Sequence, residues 1–281
     1  MVAPNMDLHH ITSQRSPLSP DEVQAWEPGF AWLAGGTWLF SEPQPGLNTL
    51  LDMGKFNWSA LQADEGTGLE IAATCTIAQL HEFGGSASLP ESWRATPLIQ
   101  TCCEALQSSF KIWNEATVGG NLCLGLPAGG LISLAAALEG ICIVWRRSGA
   151  PQSILASEFV TGIQQTTLGP GDLLRSIHLP HWALKKQPAW RRFSQTQEGR
   201  STALLIGTRC PETGEVLLTI TAATVRPIQL RFPSLPTVSE LSNRLQESVK
   251  SSDYFNDPHG TADHRRHLVH YFAPQIIEEL A

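Results

Sequence analysis

Two Gly-Gly pairs are the features of this sequence that most constrain its fold. The first lies in Trp-Leu-Ala-Gly-Gly-Thr-Trp-Leu at residues 32–39, and the second lies in Asn-Glu-Ala-Thr-Val-Gly-Gly-Asn-Leu at residues 114–122. We expect each pair to follow a short strand and to form a tight turn, with Gly120 at positive φ, because glycine accepts conformations that other residues avoid. Consecutive N–H groups that no side chain covers attract anions such as phosphate. The two turns could therefore hold the two ends of one pyrophosphate; the alternative is two ordinary tight turns.

Neither segment matches the common phosphate-binding motifs. No G-x-G-x-x-G opens a helix, as it does in dinucleotide-binding folds, and no G-K-[ST] follows either pair, as it does in Walker loops. The G-x-S-x-G and H-E-x-x-H patterns of hydrolases are absent as well. The sequence therefore favours binding of a pyrophosphate group and offers no candidate catalytic residue.

The composition predicts a globular protein without a nucleic-acid or membrane partner. Of the 281 residues 42% are hydrophobic, and a formal net charge of -7 does not provide the basic surface that nucleic acids or anionic lipids attract. No apolar stretch is long enough for a signal peptide or a membrane span. The six cysteines include no C-x-x-C pair, so we expect no metal site, and free thiols fit a reducing cytoplasm.

Breaks in the hydrophobic pattern divide the chain into three regions, 1–57, 58–182 and 188–281. We expect a loosely held arm over residues 1–20 and a mixture of helices and strands after it. The predicted strands are 30–33, 49–53, 69–76, 141–146, 173–179, 190–194, 203–208 and 216–225. The predicted helices are 20–26, 77–83, 131–138, 238–249 and 264–279, and a further one begins at Thr96 and Pro97 and reaches Phe110. The last helix, 264–279, is expected to kink or break at Pro274.

Several segments resemble one known family. Ala-Gly-Gly-Thr at 34–37 and Ala-Thr-Val-Gly-Gly-Asn at 116–121, in this order, are similar to the FAD-binding subunit of xanthine dehydrogenase-type molybdenum hydroxylases. The same family includes the medium subunit of carbon monoxide dehydrogenase. Residues 50–53, 69–80 and 171–180 resemble further segments of the family, so the resemblance extends well beyond the two glycine turns.

The resemblance implies an α+β fold, in which a two-lobed PCMH-type FAD-binding domain precedes a small α+β C-terminal domain of the CO dehydrogenase flavoprotein type. The lobes correspond to residues 1–57 and 58–182, and the C-terminal domain corresponds to 188–281. The cofactor implied is FAD, with both glycine turns at its pyrophosphate. The residues expected to bind it are Leu33, Ala34, Gly35, Gly36, Thr37, Trp38, Leu39, Ala116, Thr117, Gly119, Gly120, Asn121 and Leu174. Leu174 has the alternative of being an ordinary core residue.

The resemblance also implies partners and an electron path. In the family, electrons pass from a molybdopterin large subunit through an iron-sulfur small subunit to the FAD subunit, and then to NAD or oxygen. The flavin carries the redox chemistry, so this chain needs no catalytic side chain of its own. We therefore expect a cytoplasmic oxidoreductase component that works in a heterotrimer.

Four positions depart from the family pattern. Trp38 stands in place of an acid, Trp113 in place of an arginine, Gly130 in place of an aspartate near the flavin, and Ser194 in place of a common lysine. If Gly130 lies at the flavin, Gly130→Asp should tighten FAD binding; otherwise Gly130 only opens the next helix.

Two alternatives to a working FAD subunit stay open. One is a structural docking subunit of such a complex with weak or absent FAD, which the four departures motivate. The other is a stand-alone flavin oxidase. Such enzymes commonly tether FAD through a histidine or cysteine, and Cys123 is the nearest such residue to either turn.

Overall fold

Four β-sheets organise the residues that the computed structural model describes, which are 10–197 and 199–281. The first sheet has three parallel strands, paired in the order β1-β3-β2. These strands are Ser13–Arg15 (β1), Phe30–Leu33 (β2) and Thr49–Asp52 (β3). A small apolar cluster of Val23, Phe30 and Leu51 packs beneath them.

The start of the chain differs from the prediction in two ways. A loose arm up to residue 20 is wrong from Ser13 onwards, because β1 pairs with β3; residues 1–9 lie outside the described residues. The predicted helix over 20–26 is a single 3-10 turn, Pro20–Glu22. Beyond that turn the chain is extended, because Val23 and the Trp26 ring pack on Phe30.

The second region contains an antiparallel five-stranded sheet covered by helices. Its strands are Leu61–Asp64 (β4), Gly68–Ala72 (β5), Ile141–Trp145 (β6), Gln152–Leu155 (β7) and Leu173–Pro180 (β10), and Val160–Gly162 (β8) with Gln165–Thr166 (β9) forms a separate hairpin. Its helices are Ile77–Gly84 (α1), Pro97–Glu104 (α2), Phe110–Glu115 (α3), Val118–Leu124 (α4), Gly130–Ala137 (α5), Ala156–Phe159 (α6) and His181–Leu184 (α7). The order is β4-β5-β10-β6-β7, and the central β10 buries six of its eight residues.

The third region is an antiparallel four-stranded meander that packs against the last helix. It comprises Gln187–Ser194 (β11), Ser201–Arg209 (β12), Val216–Thr221 (β13), Ile228–Phe232 (β14), Val238–Ser248 (α8) and Ala262–Glu279 (α9). Strand β14 is not among the predicted strands, and the predicted strand over 216–225 ends at Thr221, because Ala222 turns the chain with φ 60°. Helix α9 continues through Pro274, since the flanking Ala273 and Ile276 are both buried in the core against the sheet.

The α+β fold class predicted from the sequence is confirmed, and most boundaries move by only a few residues. The strand predicted over 69–76 ends at Ala72, because Thr76 caps α1 through a reciprocal bond with Gln79. Helix α2 ends at Glu104 and does not reach Phe110, whose side chain is largely exposed. None of the described helices is long and apolar enough to cross a membrane.

Buried polar contacts join the second region to the third. The hydroxyls of Ser133 in α5 and Thr221 in β13 lie 2.6 Å apart, and both side chains are buried. The Glu139 carboxylate pairs with the Lys186 ammonium, which is 3% exposed, and with Arg231 of β14. A buried ammonium is stable only while its counter-charge is present, so Lys186 and Glu139 hold each other in place, and Glu139 joins the second region to Arg231 of the third.

The Glu139–Lys186 pair predicts unequal effects of removing either partner. Glu139→Gln should lower the free energy of unfolding by about 3 kcal/mol, because it leaves the Lys186 ammonium buried without a counter-charge. Lys186→Met should lower it by only about 1 kcal/mol, since Glu139 keeps Arg231 as its partner. Urea unfolding followed by circular dichroism measures both. Equal losses would contradict this account.

Candidate functional site: a cavity bounded by both glycine segments

The two glycine segments meet through their backbones. A Cβ atom on Gly35 would lie 1.6 Å from the Glu115 carbonyl oxygen, so only glycine permits this approach. Gly36 adopts φ 68°, which favours glycine, and a Cβ there would lie 2.4 Å from the Phe40 ring. The first turn thus needs its two glycines for different reasons, one for close contact and one for backbone conformation.

The second segment is the beginning of a helix, so the prediction of a strand followed by a tight turn is wrong there. Thr117 caps α4, and residues 116–119 lie antiparallel to residues 73–77. Gly120 does not have the positive φ that the sequence led us to expect. The threonine cap explains the difference, because its hydroxyl accepts the Gly120 N–H at 3.0 Å and favours helix initiation.

The N–H groups of the second segment are already bonded within the protein. Val118 donates to the Cys75 carbonyl at 2.8 Å, and Gly119 donates to the Ala73 carbonyl at 2.9 Å. Asn121 donates to the Thr117 carbonyl at 3.0 Å. The expectation that this segment exposes uncovered N–H groups is therefore wrong, and its glycines serve packing and space.

The N–H groups of the first turn are free to bind a ligand. Those of Gly36, Thr37 and Trp38 donate to no acceptor in the described part of the chain. Gly36 has a left-handed backbone conformation and carries no side chain, so no side chain of this residue covers these donors. Consecutive N–H groups arranged in this way can bind an anion. Of the two segments, the first is the better candidate for direct contact with phosphate oxygens.

A cavity of about 510 Å³ opens between the two segments and extends to the third region. All of the predicted FAD-binding residues line it except two, which are Gly119 and Leu174. Gly119 is buried against Ala73, and Leu174 is a buried core residue of β10, as its alternative interpretation had it. The lining residues that the prediction gave are Leu33, Ala34, Gly35, Gly36, Thr37, Trp38, Leu39, Ala116, Thr117, Gly120 and Asn121.

One polar atom in the cavity wall has no partner. The Oδ1 atom of Asn121 is shielded from solvent and accepts no hydrogen bond from the described residues. A buried carbonyl without a donor is costly, so such an atom is a good candidate for a ligand contact. Gly129 leaves room at this point, since a Cβ there would lie 2.9 Å from Oδ1.

Tertiary structure adds wall residues that no sequence motif indicated. The loop after α2, at 105–108, and the turn at 126–129 line the cavity from the second region. The third region contributes Arg200, Ser201, Phe255 and Asp257. The sequence Pro-Ala-Gly-Gly at 127–130 is typical of a turn, because proline and glycine favour turns. That this turn lines the cavity depends on how helices α4 and α5 pack.

Three of the four departures from the family pattern lie away from the cavity. Trp113 supports its wall from behind, donating its indole N–H to the Leu106 carbonyl at 3.1 Å. The Ser194 hydroxyl bonds the Thr196 carbonyl at 2.7 Å and does not line the cavity. Gly130 packs against α2, where a Cβ would lie 2.1 Å from the Cys102 carbonyl oxygen. Gly130 thus opens α5, as its alternative interpretation had it, and of the four positions only Trp38 lines the cavity.

The charge of the cavity wall is small. Arg200 and Asp257 are its only charged side chains among the described lining residues. Cys123 also lines it, and burial raises the pKa of this thiol to about 12, so it is uncharged at neutral pH. The wall therefore combines apolar side chains, backbone donors and one unpaired amide oxygen.

The chain matches a family model, one curated protein and several solved structures. The model is that of the FAD binding domain in molybdopterin dehydrogenase, and it matches residues 20–182. Aldehyde oxidase 2 from Cavia porcellus is 27% identical over 116 residues, which are 41% of this chain and 9% of that protein. Reconstituted CO dehydrogenase from Oligotropha carboxidovorans has TM-score 0.77 and 18% identity, over 95% of this chain and 96% of that one. Quinoline 2-oxidoreductase from Pseudomonas putida 86 has TM-score 0.73 and 17% identity, over 96% of each chain. The structures establish the shared fold.

Gly119 and Gly120 should respond differently to an added side chain. A Cβ on Gly119 would lie 2.5 Å from the Ala73 Cβ, so Gly119→Ala should lower the free energy of unfolding by about 2 kcal/mol. A Cβ on Gly120 meets only the Thr117 hydroxyl, at 3.0 Å. Gly120→Val should therefore fold normally and abolish FAD binding by occupying cavity space. Urea unfolding of the apoproteins and FAD titration measure the two effects, and wild-type FAD affinity in Gly120→Val would contradict the assignment.

Proposed function

Because the chain belongs to the family of FAD binding domains in molybdopterin dehydrogenases, we propose that it is the subunit that carries FAD in an electron-transferring molybdenum hydroxylase complex. The observation that carries this proposal is the cavity between the two glycine segments. Its volume of about 510 Å³ lies in the range of small-molecule and cofactor sites.

The residues of the cavity fit FAD. The free N–H groups of Gly36, Thr37 and Trp38 suit the oxygens of a pyrophosphate. The Asn121 amide oxygen suits a hydroxyl or N–H donor of the cofactor. Apolar wall residues such as Leu39 and Leu124 suit the flat rings. When bound, the flavin supplies the electron-transfer chemistry, and this chain binds it, orients it and excludes water.

Backbone donors should carry most of the recognition of the pyrophosphate. Arg200 is the one cationic side chain among the described wall residues, and it lies at the third-region side. Preorganised backbone N–H groups hold an anion without the conformational freedom of a long cationic side chain. The close backbone approach at Gly35 and the left-handed conformation of Gly36 keep these donors in place.

The proposed complex contains an iron-sulfur small subunit and a molybdopterin large subunit, with NAD or oxygen as the final electron acceptor. The family match supports this assignment, since its domain occurs in molybdopterin dehydrogenases. The proposed location of the complex is the cytoplasm, because a reducing compartment suits the free thiols of this chain. This chain provides the flavin step, and substrate binding belongs to a partner.

A stand-alone oxidase with tethered flavin is the less favoured alternative. A covalent tether through Cys123 needs a reactive thiolate, but burial raises the pKa of this thiol to about 12. The docking-subunit alternative predicts a colourless protein. The unpaired Asn121 oxygen and the free N–H groups favour a bound cofactor over an empty docking fold.

Flavin analysis of the complex from its native operon tests the proposed function. The preparation should release all of its flavin as FAD on acid treatment, and it should contain an iron-sulfur protein and a molybdopterin protein. FMN in the extract would contradict the cofactor, and flavin that stays bound after acid treatment would favour the tethered oxidase. A flavin-free complex that contains both partners would favour the docking subunit.

Asn121→Ala should separate cofactor binding from stability. The substitution removes a buried oxygen without a partner, so the free energy of unfolding of the apoprotein should stay constant or rise. Loss of one hydrogen bond to FAD, of about 1 kcal/mol, should weaken FAD binding several-fold. Titration of apoprotein with FAD and urea unfolding of the same samples measure both effects. A fall in apoprotein stability with unchanged FAD affinity would show that Asn121 serves the fold alone.

A further inference from the structure

A guanidinium group is buried directly behind the third-region wall of the cavity. Arg265 in α9 is 1% exposed, and its environment lowers its pKa chiefly through burial, which Asp257 partly offsets. It donates to the carbonyl oxygens of Thr202 at 2.6 Å and Ala222 at 2.5 Å, and it pairs with the Asp257 carboxylate. Its charged end also lies 4.0 Å from the centre of the Phe255 ring.

The partners of Arg265 belong to the cavity wall or adjoin it. Asp257 and Phe255 line the cavity themselves, and Thr202 follows the wall residue Ser201. The fourth partner, Ala222, donates its N–H to the carbonyl of the wall residue Pro127 at 3.0 Å. Arg265 therefore connects all the segments that close this end of the cavity.

Asp257 keeps one carboxylate oxygen available. Its Oδ1 atom accepts from Arg265 and from the His259 N–H at 2.9 Å. Its Oδ2 atom accepts no hydrogen bond from the described residues, and the side chain, which is 30% exposed, lines the cavity. A carboxylate held in this way is a strong acceptor for sugar hydroxyls, the role that an acidic residue has toward ribose in dinucleotide-binding folds.

We propose that Arg265 is a positioning residue that presents Asp257 and Phe255 to the cofactor, and that the free oxygen of Asp257 accepts a hydrogen bond from a sugar-type hydroxyl of FAD. This hydroxyl belongs to the ribityl chain or to the adenosine ribose. The inference rests on the proposed FAD function. It makes the third region, which lies beyond the family match at 20–182, part of the cofactor site.

A purely structural role explains Arg265 less well. Burying a guanidinium is costly, and an apolar residue of similar volume would fill a core position at least as favourably. The next residue, Arg266, shows the contrasting case, since its side chain is 54% exposed and pairs with the exposed Asp263. A buried cation whose charged partner faces the cavity fits the need to hold that carboxylate in one orientation.

The test couples Asp257 to one hydroxyl of the cofactor. Apoproteins of the wild type and of Asp257→Asn are titrated with FAD and with two FAD analogues, one lacking a ribityl hydroxyl and one lacking a ribose hydroxyl. Removing the hydroxyl that Asp257 contacts should weaken binding about 10-fold or more in the wild type and far less in Asp257→Asn. The analogue that shows this difference identifies the hydroxyl. Equal losses in both proteins for both analogues would overturn the inference.

Arg265→Lys tests the positioning role, with Arg266→Lys as the matched control. Arg265→Lys should weaken FAD binding several-fold, alter the visible circular dichroism of bound FAD, and add little to the effect of Asp257→Asn. Arg266→Lys should leave all three unchanged. Wild-type affinity and spectrum in Arg265→Lys would overturn the positioning role. Failure of the wild type to bind FAD would instead refute the proposed function, so the two failures are distinguishable.

Discussion

The close backbone contact between Gly35 and Glu115 is the constraint on which the rest of the site depends. A Cβ at Gly35 would lie 1.6 Å from the Glu115 carbonyl oxygen, so the first and second regions can approach this closely only at a glycine. The contact places the loop at 34–39 against the beginning of α4. The cavity opens between them, and the third region closes its far end.

The two glycine segments have different roles in the site. The first keeps its N–H groups free because its turn is left-handed at Gly36 and no helix follows that could use them. The second uses its N–H groups internally because Thr117 caps a helix and the chain at 73–75 supplies acceptors. One segment therefore offers hydrogen-bond donors, and the other offers the space beside Gly120 and the Asn121 amide oxygen.

Buried charges connect the third region to this arrangement. Glu139 of the second region pairs with the buried Lys186, which directly precedes β11, and with Arg231 of β14, and Arg265 pairs with Asp257 within the third region. Removing one partner of a buried pair leaves an uncompensated charge, which is costly. A movement that separates the two partners has the same cost, so such pairs hold the segments that they join in one relative position. The pair between Glu139 and Arg231 thus favours a single placement of the meander beside the second region, and the pair between Arg265 and Asp257 fixes the cavity wall within the third region.

The sequence by itself determined the α+β class, most of the elements and nearly all of the glycine-segment residues at the cavity. These follow from local rules: glycine where the backbone turns, Thr76 and Thr117 where helices begin, and alternating apolar residues in strands. Gly119 does not line the cavity, and the sequence could not show this, because a glycine needed for packing has the same local signature as one needed for a ligand. Only the tertiary structure decided which N–H groups stay free and that Phe255, Asp257 and Arg265 reach the site, because both depend on contacts between residues far apart in the chain.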